Sequence, residues 1–307
     1  MKVAIMGAGG VGGYFGARLA HSGCDVHFIA RGAHGAALRS QGLQLNSALG
    51  DLHLKGLQVT ETPQDVGVAD VVLFGVKLWD TEAAAEAIRP LVGPHTAVIS
   101  LQNGVVKDDI LRSVLGPQAV AGGVCYIAAT IAAPGVIAHT GVLQKLVFGE
   151  YDGSRSARLE AFLQACQDAG IEAEISADIR KTIWEKFVML VGLSATTAAT
   201  RLPIGRVRSH PQSRRVLQQI MEEVVAVGLA QGVPLAPDFA ADRLRFCDQL
   251  PAAMTSSMAH DLERGNPLEV RWLSGDVARR GAELGVPTPA NALVHGILAL
   301  HAEGRKV

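Results

Sequence analysis

Short apolar, β-branched runs alternate with helix-period segments over the first half of the chain, and that alternation predicts a parallel sheet wrapped by helices. Strands are expected at Lys2 to Met6, Asp25 to Ala30, Val71 to Val76 and Ala97 to Leu101, with helices at Gly12 to His21, Gly35 to Gln41 and Thr81 to Leu91 between them. The last of these ends at Gly93-Pro94, a common helix stop. After Val120 the pattern changes. Val124 to Thr130, Gly135 to His139 and Lys145 to Phe148 are separated by turn residues and read as antiparallel strands closing the sheet, and Ile171 to Ser176 reads as a last strand. Beyond Ser176 the texture is helical, with helices expected at Ile183 to Ala199, Gln212 to Ala230, through Met258 to Glu263, Glu269 to Leu284 and Asn291 to His301. The expected fold is an α/β Rossmann-type N-terminal domain, doubly wound on a mostly parallel sheet, over residues 1–176, followed by an all-α domain over 177–307.

Composition narrows the partners. The 307 residues are 49% hydrophobic and 19% charged with net charge -1, so the chain is neither starved of core residues nor basic enough to bind nucleic acid by counterion release. Cys24, Cys125, Cys166 and Cys247 are far apart and show no C-x-x-C, so neither a disulfide framework nor a zinc site is signalled; reduced thiols in a cytoplasmic protein are expected. The ten histidines show no metal-ligand spacing, and no metal is expected. The N-terminal apolar run is glycine-rich and reaches Arg18 without a cleavage-like end, so no signal peptide is expected. Apolar stretches such as Phe187 to Leu193 fall well short of the roughly 20 residues a membrane span needs, so no membrane partner is expected.

The first chemistry lies at the start of the chain. In Met1 to Ala20, Gly7, Gly9 and Gly12 form G-x-G-x-x-G directly after an apolar strand and before a helical run. In that context Gly7 permits the tight turn, Gly9 lets backbone approach a pyrophosphate, and Gly12 lets helix and strand pack closely, while the helix N-terminus presents free N–H groups to the anion. The turn Gly7-Ala8-Gly9-Gly10-Val11-Gly12 is therefore a candidate dinucleotide site. A preference for NAD would place a carboxylate at the end of the second strand to take the ribose hydroxyls. That strand ends Phe28-Ile29-Ala30-Arg31, and a guanidinium there suits a 2′-phosphate, which points to NADP. His34 nearby does not settle the matter.

Ligands of open α/β sheets sit outside the carboxyl ends of the strands. Lys77 and Gln102-Asn103-Gly104 hold such positions: Lys77 could neutralise cofactor phosphate or a substrate carboxylate, and Asn103 could reach a nicotinamide ribose or carboxamide. Each is equally a residue type that closes turns.

Together with Val76-Lys77-Leu78-Trp79, Leu101-Gln102-Asn103-Gly104, Trp184-Glu185-Lys186-Phe187, and Ser256-Ser257-Met258 followed by Glu269, the glycine turn and Arg31 make the chain resemble the ketopantoate reductase family over nearly its whole length. Members of that family reduce 2-dehydropantoate to pantoate with NADPH, a step of pantothenate biosynthesis. The resemblance implies an NADP-binding first domain and a helical substrate and catalytic second domain. It makes Lys186 the general acid, Glu269 a partner hydrogen-bonding the substrate hydroxyl, Ser257 the holder of the substrate carboxylate, Asn103 and Lys77 residues where cofactor and substrate meet, and Arg31 the ligand of the 2′-phosphate. The chemistry agrees, because hydride addition builds negative charge on a carbonyl oxygen that a lysine ammonium can stabilise and then protonate.

Three positions depart from the family pattern. Asparagines expected four and eight residues after the lysine are Leu190 and Ser194, and a third falls on Ile204. A 2-oxo acid less polar than ketopantoate would suit such a wall, in which Ser194, Thr196, Thr197 and Thr200 offer hydroxyls or merely bond back to the helix. His260 is a second-rank acid, with Asp261 able to orient its segment. A wider β-hydroxyacid dehydrogenase and a non-enzymatic NADP-binding sensor are the competing readings; retention of Lys186 and Glu269 favours an enzyme. The partner expected is a small 2-oxo acid, and a homodimer is left open.

Overall fold

The computed structural model describes residues 1–305, which divide into two compact units: residues 1–103 with 107–182, and residues 104–106 with 183 onward. The first unit is built on ten strands: β1 (Lys2–Met6), β2 (Asp25–Ile29), β3 (Leu43–Ser47), β4 (Leu52–Leu54), β5 (Gln58–Thr60), β6 (Val71–Phe74), β7 (Ala97–Ser100), β8 (Val120–Ala133), β9 (Val136–Gly149) and β10 (Glu172–Ile175). Its helices are α1 (Gly10–His21), α2 (Gly32–Gln41), α3 (Thr81–Ala87), α4 (Val106–Leu115) and α5 (Ala157–Asp168), and α6 (Ile179–Thr200) crosses from this unit into the next. The strand order β5-β2-β1-β6-β7-β8 is parallel throughout, and β9, β3 and β4 extend it, with β10 pairing on β9. This is the doubly wound dinucleotide-binding order, whose direction of winding reverses between β1 and β6.

Why the strands read as unbroken apolar runs is visible in their two faces. Val3 and Ile5 of β1 pack with Tyr14, Phe15, Leu38 and Phe162, from α1, α2 and α5, whereas Ala4 and Met6 pack with Ala84, Ile88 and Leu111 on the α3 and α4 side. Successive side chains point to opposite faces, and helices bury both.

Several sequence expectations are corrected. The three short strands expected after Val120 are two long ones, β8 and β9. Residues 140–143 lie between the pairs Ala129 with His139 and Ile127 with Gln144, so a bulge, not a chain reversal, accounts for the turn residues. The last strand is found where it was expected, as β10 at Glu172–Ile175, and it runs parallel to β9. Helix α2 begins at Gly32, ahead of the expected Gly35, with Arg31 as its N-cap residue. The helix expected through Leu91 stops at Ala87 and becomes a 3₁₀ turn at Arg89–Leu91, where Pro90 lacks the N–H that an α-helix needs. The short strands β3, β4 and β5 and the helix α4 were not anticipated.

The second unit is helical, adding α7 (Ile204–Ser209), α8 (Pro211–Ala230), α9 (Phe239–Gln249), α10 (Ser257–Arg264), α11 (Ser274–Leu284) and α12 (Pro289–Ala299). Here α8 packs against α7, α9, α11 and α12. Buried Glu223 on α8 accepts hydrogen bonds from Ala290 N, Asn291 N and Asn291 Nδ2 at 2.8, 2.9 and 2.7 Å, so a carboxylate from one helix caps the positive end of another. The single helix expected from Glu269 to Leu284 is two pieces: a 3₁₀ turn over Glu269–Trp272, then α11, with Leu273 at φ -105° and ψ -103° between them. No helix among the described residues is long and apolar enough to cross a membrane.

Candidate functional site

The glycine turn sits at the winding reversal. Gly7, at φ +93°, receives the end of β1, and a Cβ there would lie 2.8 Å from Val76 N at the end of β6. A Cβ on Gly12 would lie 2.3 Å from the Gly7 carbonyl oxygen, so both positions exclude side chains for reasons internal to the fold. Gly9 differs. A Cβ there would meet no protein atom within 4 Å, which leaves its backbone open beside the free N–H groups at the start of α1.

Beside this turn lies a cavity of about 340 Å³, walled by Gly7, Ala8 and Gly9, by Arg31 and His34, by Glu61 and Pro63, and by Ala83, Ala84 and Ala87 of α3. An open glycine turn at a helix N-terminus, a guanidinium at the end of β2 and an apolar alanine wall fit the pyrophosphate, ribose and flat base of a dinucleotide. Glu61, which sequence reasoning overlooked, brings a carboxylate to the same cavity from just beyond β5. Arg39 holds it at 2.9 Å, and the pair is largely exposed. The signal was available, since Glu61 directly follows the strand that neighbours β2.

The other strand ends are held by a buried network. Lys77 is exposed beyond β6, its ammonium 5.6 Å from the centre of the Trp79 ring. Gln102, beyond β7, donates from Nε2 to the Val76 carbonyl at 3.0 Å and to Thr81 Oγ1 at 2.8 Å, and accepts from Ser100 Oγ at 3.0 Å. Asn103, half-buried, follows at once, before Gly104 at φ +82°. Beneath them Lys107, fully buried, donates to the Ser100 and Gly123 carbonyls and to Asp108, whose carboxylate also accepts from Tyr151 OH at 2.7 Å. Burial, with Asp108 beside it, pushes the Tyr151 hydroxyl far above its ordinary range, so it remains a donor. Gln102 was named from the sequence without a role and Lys107 was missed; an internal lysine gave no pattern by which to find it.

In the second unit α6 carries Lys186, Leu190 and Ser194 at four-residue intervals, hence on one helical face. Lys186 and Leu190 are half-buried; Ser194 is fully buried, and its Oγ has no hydrogen-bond partner. The threonines are not available in the same way. Thr196 and Thr200 donate back to Gly192 and Thr196 carbonyls, and Thr197 donates to the Leu193 carbonyl and meets Ser256 Oγ at 2.8 Å. Ile204 is a fully buried core residue at the start of α7. Ser256, quoted from the sequence within Ser256-Ser257-Met258 but given no role, is the N-cap of α10 and accepts from Ala259 N, which leaves exposed Ser257 as the first residue of that helix. Glu269 is half-buried and opens the 3₁₀ turn. His260 is exposed, with Thr255 Oγ1 at 2.9 Å, and Asp261 accepts from Asn266 Nδ2 at 3.0 Å. The described residues contain no cluster of three His, Cys, Asp or Glu placed to hold a metal ion.

A winding reversal with a glycine turn at its mouth, followed by a helical unit, defines the class of NAD(P)H-dependent oxidoreductases with a Rossmann-type domain. Within that class, family models for ketopantoate reductase PanE/ApbA and its C-terminal domain match residues 3–153 and 178–302, and the chain belongs to the ketopantoate reductase family. A 2-dehydropantoate 2-reductase of Archaeoglobus fulgidus is 34% identical over 300 residues, covering 96% of this chain and 97% of its own. The crystal structure of a PanE/ApbA family ketopantoate reductase from Ralstonia eutropha superposes with TM-score 0.90 at 38% identity, over 98% of each chain. A D-mandelate dehydrogenase solved with NADH and anilino(oxo)acetate shares the fold with TM-score 0.90 at 20% identity, over 98% of each chain. The protein is an oxidoreductase acting on CH-OH, and its substrate is a small molecule.

Proposed function

We infer that the protein reduces a 2-oxo acid to the 2-hydroxy acid with NADPH, and that the side chain of its substrate is less polar than that of ketopantoate. The observation that carries this reading is the α6 face, where Lys186 is followed by Leu190 and by the buried, unpartnered hydroxyl of Ser194. A fold shared with a mandelate dehydrogenase does not choose the substrate; the wall of the site does.

NADPH, when bound, supplies the hydride. The chain's own residues bind and protonate. Gly9 and the N-terminus of α1 take the pyrophosphate, Arg31 takes the 2′-phosphate, and Asn103 and Lys77 orient the reacting ends at the mouths of β7 and β6. Ser257, at the start of α10, holds the substrate carboxylate with the free N–H groups of that helix. As the carbonyl carbon accepts hydride, the Lys186 ammonium stabilises the growing charge on oxygen and delivers the proton that completes the hydroxyl. Glu269 accepts from that hydroxyl and fixes its direction.

The test is NADPH oxidation, followed by absorbance, over a panel of 2-oxo acids with aliphatic, aromatic and hydroxylated side chains, ketopantoate included. Faster turnover of an apolar member than of ketopantoate is expected. Ketopantoate as the best substrate would refute the side-chain reading, and no NADPH oxidation with any member would refute the reaction.

A further inference from the structure

Lys107, in the first turn of α4, is only 1% exposed, and its Nζ is fully engaged inside the protein. It donates to the Ser100 carbonyl at 3.3 Å, to the Gly123 carbonyl at 3.0 Å and to the Asp108 carboxylate, with Oδ2 at 3.0 Å. Asp108, also buried, accepts in turn from Tyr151 OH, just beyond β9. A buried ion pair holds a core together no better than apolar packing of the same volume, because desolvation offsets the attraction. What an apolar side chain could not do at this position is join two backbone carbonyls from different strands. Those carbonyls mark the place where β7 and β8 part. The ladder between them runs through Val98 with Val120 and Ile99 with Ala121, and from Gly122 onward the pairing of β8 is with β9. Gly123 permits the close approach, since a Cβ there would lie 2.8 Å from the Ser100 carbonyl oxygen. Lys107 therefore bridges the two strands just past the end of their ladder. Asn103 is bracketed by two buried anchors: Gln102 before it, bound to the Val76 carbonyl and Thr81, and Lys107 after it.

We propose that Lys107 is a positioning residue for the nicotinamide half of the cofactor: by fastening the end of β7 to β8 it aims Asn103. This rests on the reading of Asn103 as the residue that meets the nicotinamide ribose or carboxamide, and it deepens that reading by naming what holds Asn103 in place. Lys107 itself touches neither cofactor nor substrate, because it is buried. A segment freed from this anchor must be ordered again when the cofactor binds, and that cost falls on the nicotinamide half alone. The adenosine half, met by the glycine turn and Arg31, is held by other elements, α1 and the end of β2.

Position and stability are separated by the choice of variants and ligands. Lys107→Met keeps most of the side chain and deletes Nζ, and Lys107→Met combined with Asp108→Asn removes both charges, so that no lone carboxylate stays buried. Tyr151→Phe takes a hydrogen bond from the same network without touching either carbonyl, and it is the control for lost stability. These variants, Asn103→Ala, and Asn103→Ala combined with Lys107→Met are made in the full chain. Affinity for NADPH is measured by nicotinamide fluorescence, affinity for adenosine 2′,5′-bisphosphate by calorimetry, and melting temperatures alongside. Expected is a loss of NADPH affinity of about three- to tenfold in both Lys107 variants, with adenosine bisphosphate affinity within about twofold of wild type. In the Asn103→Ala background Lys107→Met should add no further loss, because the two residues act through one contact. Tyr151→Phe should melt lower and bind both ligands as wild type does. Wild-type NADPH affinity in both Lys107 variants, equal losses for the two ligands, or a loss that adds to that of Asn103→Ala overturns the proposal while Asn103 keeps its role. So does a matching NADPH loss in Tyr151→Phe, or failure of both Lys107 variants to fold. An Asn103→Ala chain that binds NADPH as tightly as wild type overturns the reading of Asn103 and the proposal with it.

Discussion

Gln102 donates to the Val76 carbonyl across 3.0 Å, which ties the segment beyond β7 to the end of β6 and so fixes the spacing of the loops that carry Asn103 and Lys77. Both groups are buried or nearly so, and Gln102 also satisfies Thr81 and Ser100. Gln102→Leu keeps the volume and strands three polar partners. The expected outcome is a stability loss of about 2 to 4 kcal/mol, read from denaturant unfolding, together with weaker NADPH binding. An unfolding midpoint equal to that of wild type would show that the clamp contributes nothing.

The proposed preference for NADPH rests on Arg31 and is opposed by Glu61, two of the charged side chains, with Asp80, that line one cavity. Arg31→Ala removes the proposed ligand of the 2′-phosphate, and NADPH affinity should fall by about ten- to a hundredfold while NADH affinity stays nearly constant. Glu61→Gln removes a carboxylate that disfavours a second phosphate; its exposed pairing with Arg39 screens it, so only a gain of about twofold for NADPH is expected. Fluorescence titrations with both dinucleotides check the pair, and equal losses of NADPH and NADH in Arg31→Ala would contradict the assignment.

The two variants also mark how far the sequence could be read. Arg31 was legible because the glycine turn fixes where β2 must end, and one position then carries the cofactor argument. Glu61 was not, because β5 is only Gln58–Thr60, too short and too exposed to announce itself as a neighbour of β2. The same limit hid what anchors His34, whose Nδ1 accepts from Gly135 N, a contact 101 residues away in sequence. The parallel core was plain from its apolar runs, since helices cover both faces. The bulge at residues 140–143 was not, because turn-forming residues within a continuous strand resemble a chain reversal. On the substrate side, the family resemblance singled out Lys186, Leu190 and Ser194 and their four-residue spacing set them on one helical face, whereas Thr196, Thr197 and Thr200 proved to be engaged within the second unit itself.

Lys186→Ala should lower kcat by about a hundred- to ten-thousandfold, the range for loss of a positioned general acid. NADPH affinity should change little, because the cofactor cavity is lined entirely by residues of the first unit. Single-turnover kinetics, with a separate binding titration, distinguish the two effects. A wild-type rate in this variant would remove Lys186 from the mechanism.

Acid stability should report the pair Glu150 and Arg158. Burial pushes the Glu150 carboxyl up, but hydrogen bonds from Arg158 and Ser156 outweigh it and hold the group below the ordinary carboxylate range. A depressed carboxyl stabilises the fold above the unfolded-state value, near pH 4.3, and loses that contribution as pH falls through the folded-state value. Arg158 also donates to the Thr96 and Gln118 carbonyls, so α5 is fastened to the segments leading into β7 and β8. In Glu150→Gln the melting temperature should be lower than wild type near pH 7, and the gap should narrow toward about pH 3. A gap independent of pH would mean that the pair is not what titrates.

The substrate proposal makes a prediction in which activity and stability move in opposite directions. Leu190 is half-buried, so Leu190→Asn costs little packing and returns an amide to the Lys186 face. Ser194 is fully buried, and enlarging it to asparagine inserts volume into a packed helix face at a cost of about 1 to 3 kcal/mol. The double variant should therefore melt lower than wild type. Its kcat/KM for ketopantoate should nevertheless rise by about tenfold, the worth of one added hydrogen bond, while kcat/KM for the preferred apolar 2-oxo acid falls. Leu190→Asn alone gives the cleaner comparison if the double variant folds poorly, because it leaves the buried position untouched. Should neither variant gain on ketopantoate, the α6 face does not set the polarity of the substrate, and specificity must be sought at Ser257 and Glu269 instead.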